Sequence, residues 1–130
     1  MLRSNVVFLD PDSDFTNSLI DKIKKRIDYN FSYYPSFEDA KSDVVKNPPD
    51  VIFIEQNLNG ISGLDAIPLL KSLNPGTEIV MVSNQNDLKV VDKAFELGAL
   101  KYFRKDILLI DHIEEVLKER QIPSWKKLFA

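Results

Sequence analysis

Cysteine is absent from this 130-residue chain, which excludes a disulfide scaffold and any thiolate metal site and fits a reducing compartment. Histidine occurs once, as His112, and one imidazole cannot build a metal site alone. Set between Asp111 and Ile113 in an apolar-periodic stretch, it reads as a surface or half-buried structural residue. A dominant charge is missing too: 17 basic against 20 acidic residues leave a formal charge of -3, so nothing draws the chain to nucleic acid or an anionic membrane. No apolar run approaches the roughly 20 residues of a membrane span. The earliest, Val6-Val7-Phe8-Leu9, is too short for a signal-peptide core and stops at Asp10. These absences describe a cytoplasmic protein with no direct nucleic-acid partner and no membrane partner.

What the chain does contain suits one compact domain with one core, at 44% hydrophobic and 28% charged residues. A domain over residues 1–122 is expected, followed by a tail or linker start over 123–130, where Pro123 breaks the last helix. In that tail Trp125, Leu128 and Phe129 interleave with Lys126 and Lys127, and packing back on the domain is the expectation. Val6-Val7-Phe8-Leu9 predicts a buried strand; Asp12 or Ser13 then caps a helix with Phe15, Leu19, Ile20, Ile23 and Ile27 on its apolar side. Residues 30–34 are aromatic and β-prone, and Pro35-Ser36 precedes a helix carrying Phe37, Ala40 and Val44.

Pro49-Asp50-Val51-Ile52-Phe53-Ile54-Glu55 reads as a central buried strand ending abruptly on a carboxylate. A loop with Asn57, Asn59, Gly60 and Gly63 returns to a helix showing Leu64, Ile67, Leu70 and Leu73, in which Pro68 predicts a bend or a ragged start. Residues 78–82 form a fourth strand, and a helix with Leu88, Val91, Ala94 and Phe95 follows. Residues 100–103 form a fifth strand, and a helix over 107–120 is buried through Ile110, Ile113 and Leu117. Five strand-then-helix units predict an α/β fold with a parallel sheet covered on both faces.

The polar residues at the strand ends are Asp10 and Asp12, Glu55, Ser83 and Lys105. In a doubly wound sheet they converge in one crevice at the carboxyl edge. Acids suited to a divalent cation, a hydroxyl and an ammonium suited to phosphoryl oxygens, and a nucleophilic carboxylate make a set fit for phosphoryl chemistry.

From Asn5 to Arg120 the chain resembles the receiver domain of two-component response regulators. The resemblance rests on the acid-ended first strand, on Pro49 to Glu55 with Leu58-Asn59-Gly60-Ile61-Ser62-Gly63-Leu64, on Val80-Met81-Val82-Ser83, and on Gly98-Ala99-Leu100-Lys101-Tyr102-Phe103-Arg104-Lys105. It implies a single flavodoxin-like domain with a five-stranded parallel sheet in the order 2-1-3-4-5. It also implies aspartyl phosphorylation by a histidine kinase with Mg2+, a non-enzymatic signalling role, and a switch through Ser83 and Tyr102. Glu55 stands at the phosphoacceptor position, Pro11 at the second acid of the first strand, and Asp106 where a proline usually follows the lysine.

Glutamate sets its carboxylate about 1 Å further out, a displacement of the size that costs ~100-fold in rate, and Pro11 offers Mg2+ no side-chain donor. The expectation is an atypical, phosphorylation-independent receiver in which Lys105 pairs with Glu55 and Asp10. No metal is expected; any residual Mg2+ would fall to Asp10, Glu55 and the backbone of Asn57. The module would bind a histidine kinase or a downstream effector, or form a homodimer through its fourth and fifth helices. Lys89, Lys93, Glu96, Asp111 and Glu115, with Tyr102, mark that surface. Two alternatives stand beside this. Phe8-Leu9-Asp10-Pro11-Asp12 resembles the opening of haloacid dehalogenase phosphohydrolases, with Asp10 as nucleophile and Asp12 as general acid, Val80-Met81-Val82-Ser83-Asn84 as the second motif and Lys105 as the third; the closing pair of metal-binding acids is absent. A flavodoxin-like small-ligand binder lacks the glycine-rich phosphate loop after the first strand.

Overall fold

In the computed structural model, which describes residues 4–121, short β-branched and aromatic runs form five strands and the amphipathic stretches between them form five helices. In chain order these are β1 (Asn5–Leu9), α1 (Ser13–Ile23), β2 (Asn30–Tyr34), α2 (Phe37–Lys46), β3 (Val51–Ile54), α3 (Gly63–Leu73), β4 (Glu78–Val82), α4 (Leu88–Glu96), β5 (Lys101–Phe103) and α5 (Leu109–Arg120). All strand pairings are parallel and the sheet order is β2-β1-β3-β4-β5. Leu9 lies level with Ile54, Ile54 with Met81, and Val82 with Phe103. The carboxyl ends of β1, β3, β4 and β5 therefore share one rim.

Side chains alternate across the strands, so each strand feeds two cores. Val6, Phe8, Val51, Phe53, Val80 and Val82 pack with Leu19 and Ile23 of α1 and with Leu109, Ile113, Val116 and Leu117 of α5. Val7, Leu9, Ile52, Ile54, Ile79 and Met81 pack with residues of α2, α3 and α4 on the other face. The central strands are apolar on both sides because both sides are covered. Phe8 and Phe53 stack with ring centroids 5.0 Å apart.

At the opposite, amino-terminal edge the last turn of α5 is tied to the sheet. Arg120 bridges Asp50 at 3.5 Å and Glu78 at 2.7 Å, and the Tyr29 hydroxyl donates to the Leu117 carbonyl at 2.7 Å.

Several expected details differ. Helix α1 ends at Ile23, and Ile27 is buried from the turn that follows, so the apolar spacing outlasts the helix. Helix α3 runs unbroken through Pro68, with Ala66, Ile67 and Leu70 inward and Leu73 exposed. Strand β5 begins at Lys101 and α5 at Leu109, which leaves Ile107 exposed. The largest departure is α4, where Ala94 alone is buried and Leu88 and Phe95 face solvent. His112 is half-buried with its ring 5.1 Å from that of Phe103. The aromatic tail over 123–130 lies outside the described residues.

Candidate functional site

Three side chains from three strand ends meet at the rim. The Lys105 ammonium sits 2.8 Å from Asp10 Oδ2 and 2.8 Å from Glu55 Oε1, after β1 and β3 have delivered the acids and β5 the lysine. Asp10 and Glu55 are only 6% and 7% exposed, so water cannot satisfy their oxygens and the protein must. It does so completely. Asp10 Oδ1 accepts from the Asp12 amide at 2.8 Å, and Glu55 Oε2 accepts from the Gln56 and Asn57 amides at 2.6 and 3.3 Å. The lysine's position is fixed further by Phe15, whose ring centre is 4.7 Å from the ammonium.

The electrostatics follow from burial and pairing. Burial pushes the Asp10 carboxyl above its ordinary value, and the bond to Lys105 and the Asp12 amide offset this only in part. Burial works to lower the Lys105 ammonium, but its hydrogen bonds to Asp10 and Glu55, helped by their charges, win and raise it. Lys105 is therefore held charged between the two acids.

The other expected residues divide. Ser83 is fully buried and its hydroxyl oxygen accepts from the Gln85 amide at 3.1 Å. Tyr102 is half-buried and turned inward: its hydroxyl donates to the Gln85 carbonyl at 2.5 Å. Burial raises the phenol's pKa, contact with the Ser83 hydroxyl lowers it, and the nearby Glu55 charge raises it again. Among the described residues no hydrogen bond joins Ser83 to Glu55. Asn57 contributes its backbone amide, and its side chain is exposed.

Asp12 departs from the acidic pocket. Its carboxylate is exposed and caps α1 by accepting from the Phe15 amide at 3.1 Å; the helix needs an acceptor there more than the pocket needs a third acid. Asp111, expected on a surface shared by α4 and α5, instead bonds Arg26 at 2.8 Å beside the end of α1. Two glutamines went unnoticed in the sequence. Gln56 accepts from the Leu64 amide through its side chain at 2.9 Å, and Gln85 ties Ser83, Tyr102 and Asp87 together. No spacing marks either one, because their partners are backbone groups of a loop.

The carboxylates that a divalent cation would use are engaged with the protein in this arrangement. All four carboxylate oxygens already accept from the protein, Pro11 supplies none, and among the described residues no group of three or more acidic, histidine or cysteine side chains could hold a metal ion.

The response regulator receiver domain model matches residues 6–118, and the chain belongs to that family, whose place is two-component signalling. It is 25% identical over 96 residues to sporulation initiation phosphotransferase F of Bacillus subtilis, covering 70% of this chain and 77% of that protein. It is 32% identical over 89 residues to the DNA-binding transcriptional regulator NtrC of Azospirillum brasilense, covering 66% of this chain but 17% of that protein. Among solved structures, a CheY-like receiver domain protein from Methanospirillum hungatei superimposes with a TM-score of 0.80 at 18% identity, over 92% of this chain and 98% of the other. A receiver domain of a Luxo-type repressor from Vibrio parahaemolyticus gives 0.81 at 16% identity, over 90% and 88%. These neighbours establish the flavodoxin-like fold. Receiver domains commonly hold Mg2+ at their acids and are generally non-enzymatic; the phosphohydrolase alternative gains no support, since Asp12 is committed to a helix cap. Among the described residues no helix is long and apolar enough to cross a membrane.

Proposed function

We propose that this receiver module signals without phosphorylation, with Glu55 as a permanent anion held by Lys105, and that it acts in the cytoplasm by binding a protein partner. One observation carries the reading: three donors that a transferred phosphoryl group would use, the Lys105 ammonium and the Gln56 and Asn57 amides, already bond Glu55. Its carboxylate lies within reach of the loop amides of Gln56 and Asn57 as well as of Lys105. A phosphoryl group, with nearly two negative charges and more acceptor oxygens, would have to displace them.

The inward Tyr102, bonded to Gln85, supports a domain held in one state. Its partner is a histidine kinase or a downstream effector, consistent with relatives named as a phosphotransferase and as transcriptional regulators. Helix α4 is the contact element proposed, because Leu88 and Phe95 are 76% and 47% exposed on it. Lys89 and the Lys93–Glu96 pair border these residues, and Glu115 of α5 completes the surface, which could equally join two copies.

The test is incubation with a small phosphodonor and Mg2+, followed by intact mass measurement. No phosphoryl adduct is expected on the natural chain, and one is expected after Glu55→Asp together with Pro11→Asp. An adduct on the natural chain overturns the reading.

A further inference from the structure

Glu55 and the first turn of α3 are joined through a single residue. The Gln56 amide donates to Glu55 Oε2 at 2.6 Å, while its carbonyl accepts from the Gly63 amide at 2.8 Å. Its side-chain Oε1 accepts from the Leu64 amide at 2.9 Å. The first N–H groups of a helix have no acceptor inside it. Here Gly63 and Leu64 both turn to Gln56, and Asp65 turns to Ser62 Oγ at 3.1 Å. There is no slack in the joint, since a Cβ at Gly63 would lie 2.6 Å from the Glu55 carbonyl oxygen and 2.9 Å from Gln56 Cα.

The loop after β4 is closed differently. Gln85 accepts from Tyr102 at its carbonyl and from the Asp87 amide at its side chain, and Asp87 caps α4 through the Lys89 amide. None of these bonds reaches Glu55.

We infer that Gln56 is a positioning residue for the Glu55 carboxylate: by gripping Leu64 it fastens the end of β3 to α3, and the placement of Glu55 is transmitted to α3 rather than to α4. The inference deepens the proposed function and rests on reading Glu55 as a fixed anion. A residue that only capped the helix would leave the acid and its lysine where they are. A positioning residue would not.

The experiment compares the full natural chain with Gln56→Leu and Gln56→Glu by NMR, following hydrogen exchange at the Leu64 amide and the resonance of the Lys105 ammonium. Loss of the side-chain acceptor in Gln56→Leu is expected to speed Leu64 exchange roughly tenfold and to move the Lys105 resonance. Gln56→Glu keeps an acceptor at the same reach and is expected to restore slow Leu64 exchange. Faster Leu64 exchange with an unmoved Lys105 resonance overturns the inference and leaves a plain cap. Should Gln56→Leu not fold, Glu55→Gln interrogates the same joint from the other end, because coupling between two sites is reciprocal. Leu64 exchange is then expected to rise, and unchanged exchange overturns the inference. A phosphoryl adduct on the natural chain, read by mass in a separate incubation, would instead defeat the proposed function; the exchange and resonance comparisons are made without phosphodonor, so the two failures are told apart.

Discussion

The loops after β3 and β4 leave neighbouring strands at the same rim, yet they are held by opposite means. The first is organised around a charge: Lys105 pairs with the buried Glu55 and Asp10, and two loop amides close on the Glu55 carboxylate. The second is organised by neutral groups, Ser83, Gln85 and Tyr102, bonded to each other and to the backbone. Charged hydrogen bonds in a water-poor site are strong and leave a large penalty when one partner goes, whereas neutral ones exchange nearly evenly with water. The proposed fixed anion would therefore need the first loop to be rigid, while the neutral bonds of the second exchange with water at little cost.

The largest effect that could break this contrast is removal of the cation. Lys105→Met leaves two buried carboxylates facing each other and is expected to cost about 3–5 kcal/mol near neutral pH, measured by urea denaturation. Part of that loss should return in acid as Asp10 takes up a proton; a stability unchanged from the natural chain would mean the pair is not buried as described.

Acid and base sharpen the same point. Asp10 titrates above its ordinary 3.8, so the folded state binds more protons than the unfolded one in that window, and stability falls as pH rises from 3.8 through the raised value. Lys105 lies above its ordinary 10.5, so its contribution is fully present below 10.5 and is lost as pH climbs through the raised value. Asp43 and Glu114, held below their ordinary values by their hydrogen-bond partners, work the other way in the acid window, and Tyr29, Tyr33, Tyr34 and Tyr102, raised by burial, add to the alkaline loss. Thermal melts of the two chains side by side should therefore show a shallower alkaline decline in Lys105→Met than in the natural chain.

Next in size is Tyr102→Phe, which removes the bond to the Gln85 carbonyl and should cost ~1 kcal/mol while leaving the Gln56 amide resonance in place. Movement of that resonance would show that the loops are coupled after all. The smallest effect belongs to Phe95→Ala. An exposed site of this kind should change stability by less than about 0.5 kcal/mol yet weaken capture of a partner, as read by a binding titration. Unaltered binding to a cognate kinase or effector would remove α4 as the contact element.

Much of this architecture was legible in the residues. Apolar runs closed by acids marked β1 and β3, and Phe37, Ala40 and Val44 marked the buried side of α2, because burial on a regular element leaves a period. The meeting of Asp10, Glu55 and Lys105 followed from their places at the ends of parallel strands. What the sequence hid lacks a period. Ile27 continues the spacing of α1 from a turn, and α4 has a clear apolar stripe whose exposure depends on where the helix settles on the sheet. Asp12 had two possible uses, pocket or cap, and the local helix end took it. Gln56 and Gln85 act on backbone amides and carbonyls, whose positions exist only once the loops have formed.

The crowding at Gly63 reaches beyond this molecule's energetics into its inheritance. Every single-base change that alters a glycine codon to another amino acid installs a side chain with a β-carbon, and here any such atom meets the carbonyl of the acid itself at 2.6 Å. Position 63 is thus a place where point mutation has no conservative step to offer, and drift in the rest of the loop must proceed around it.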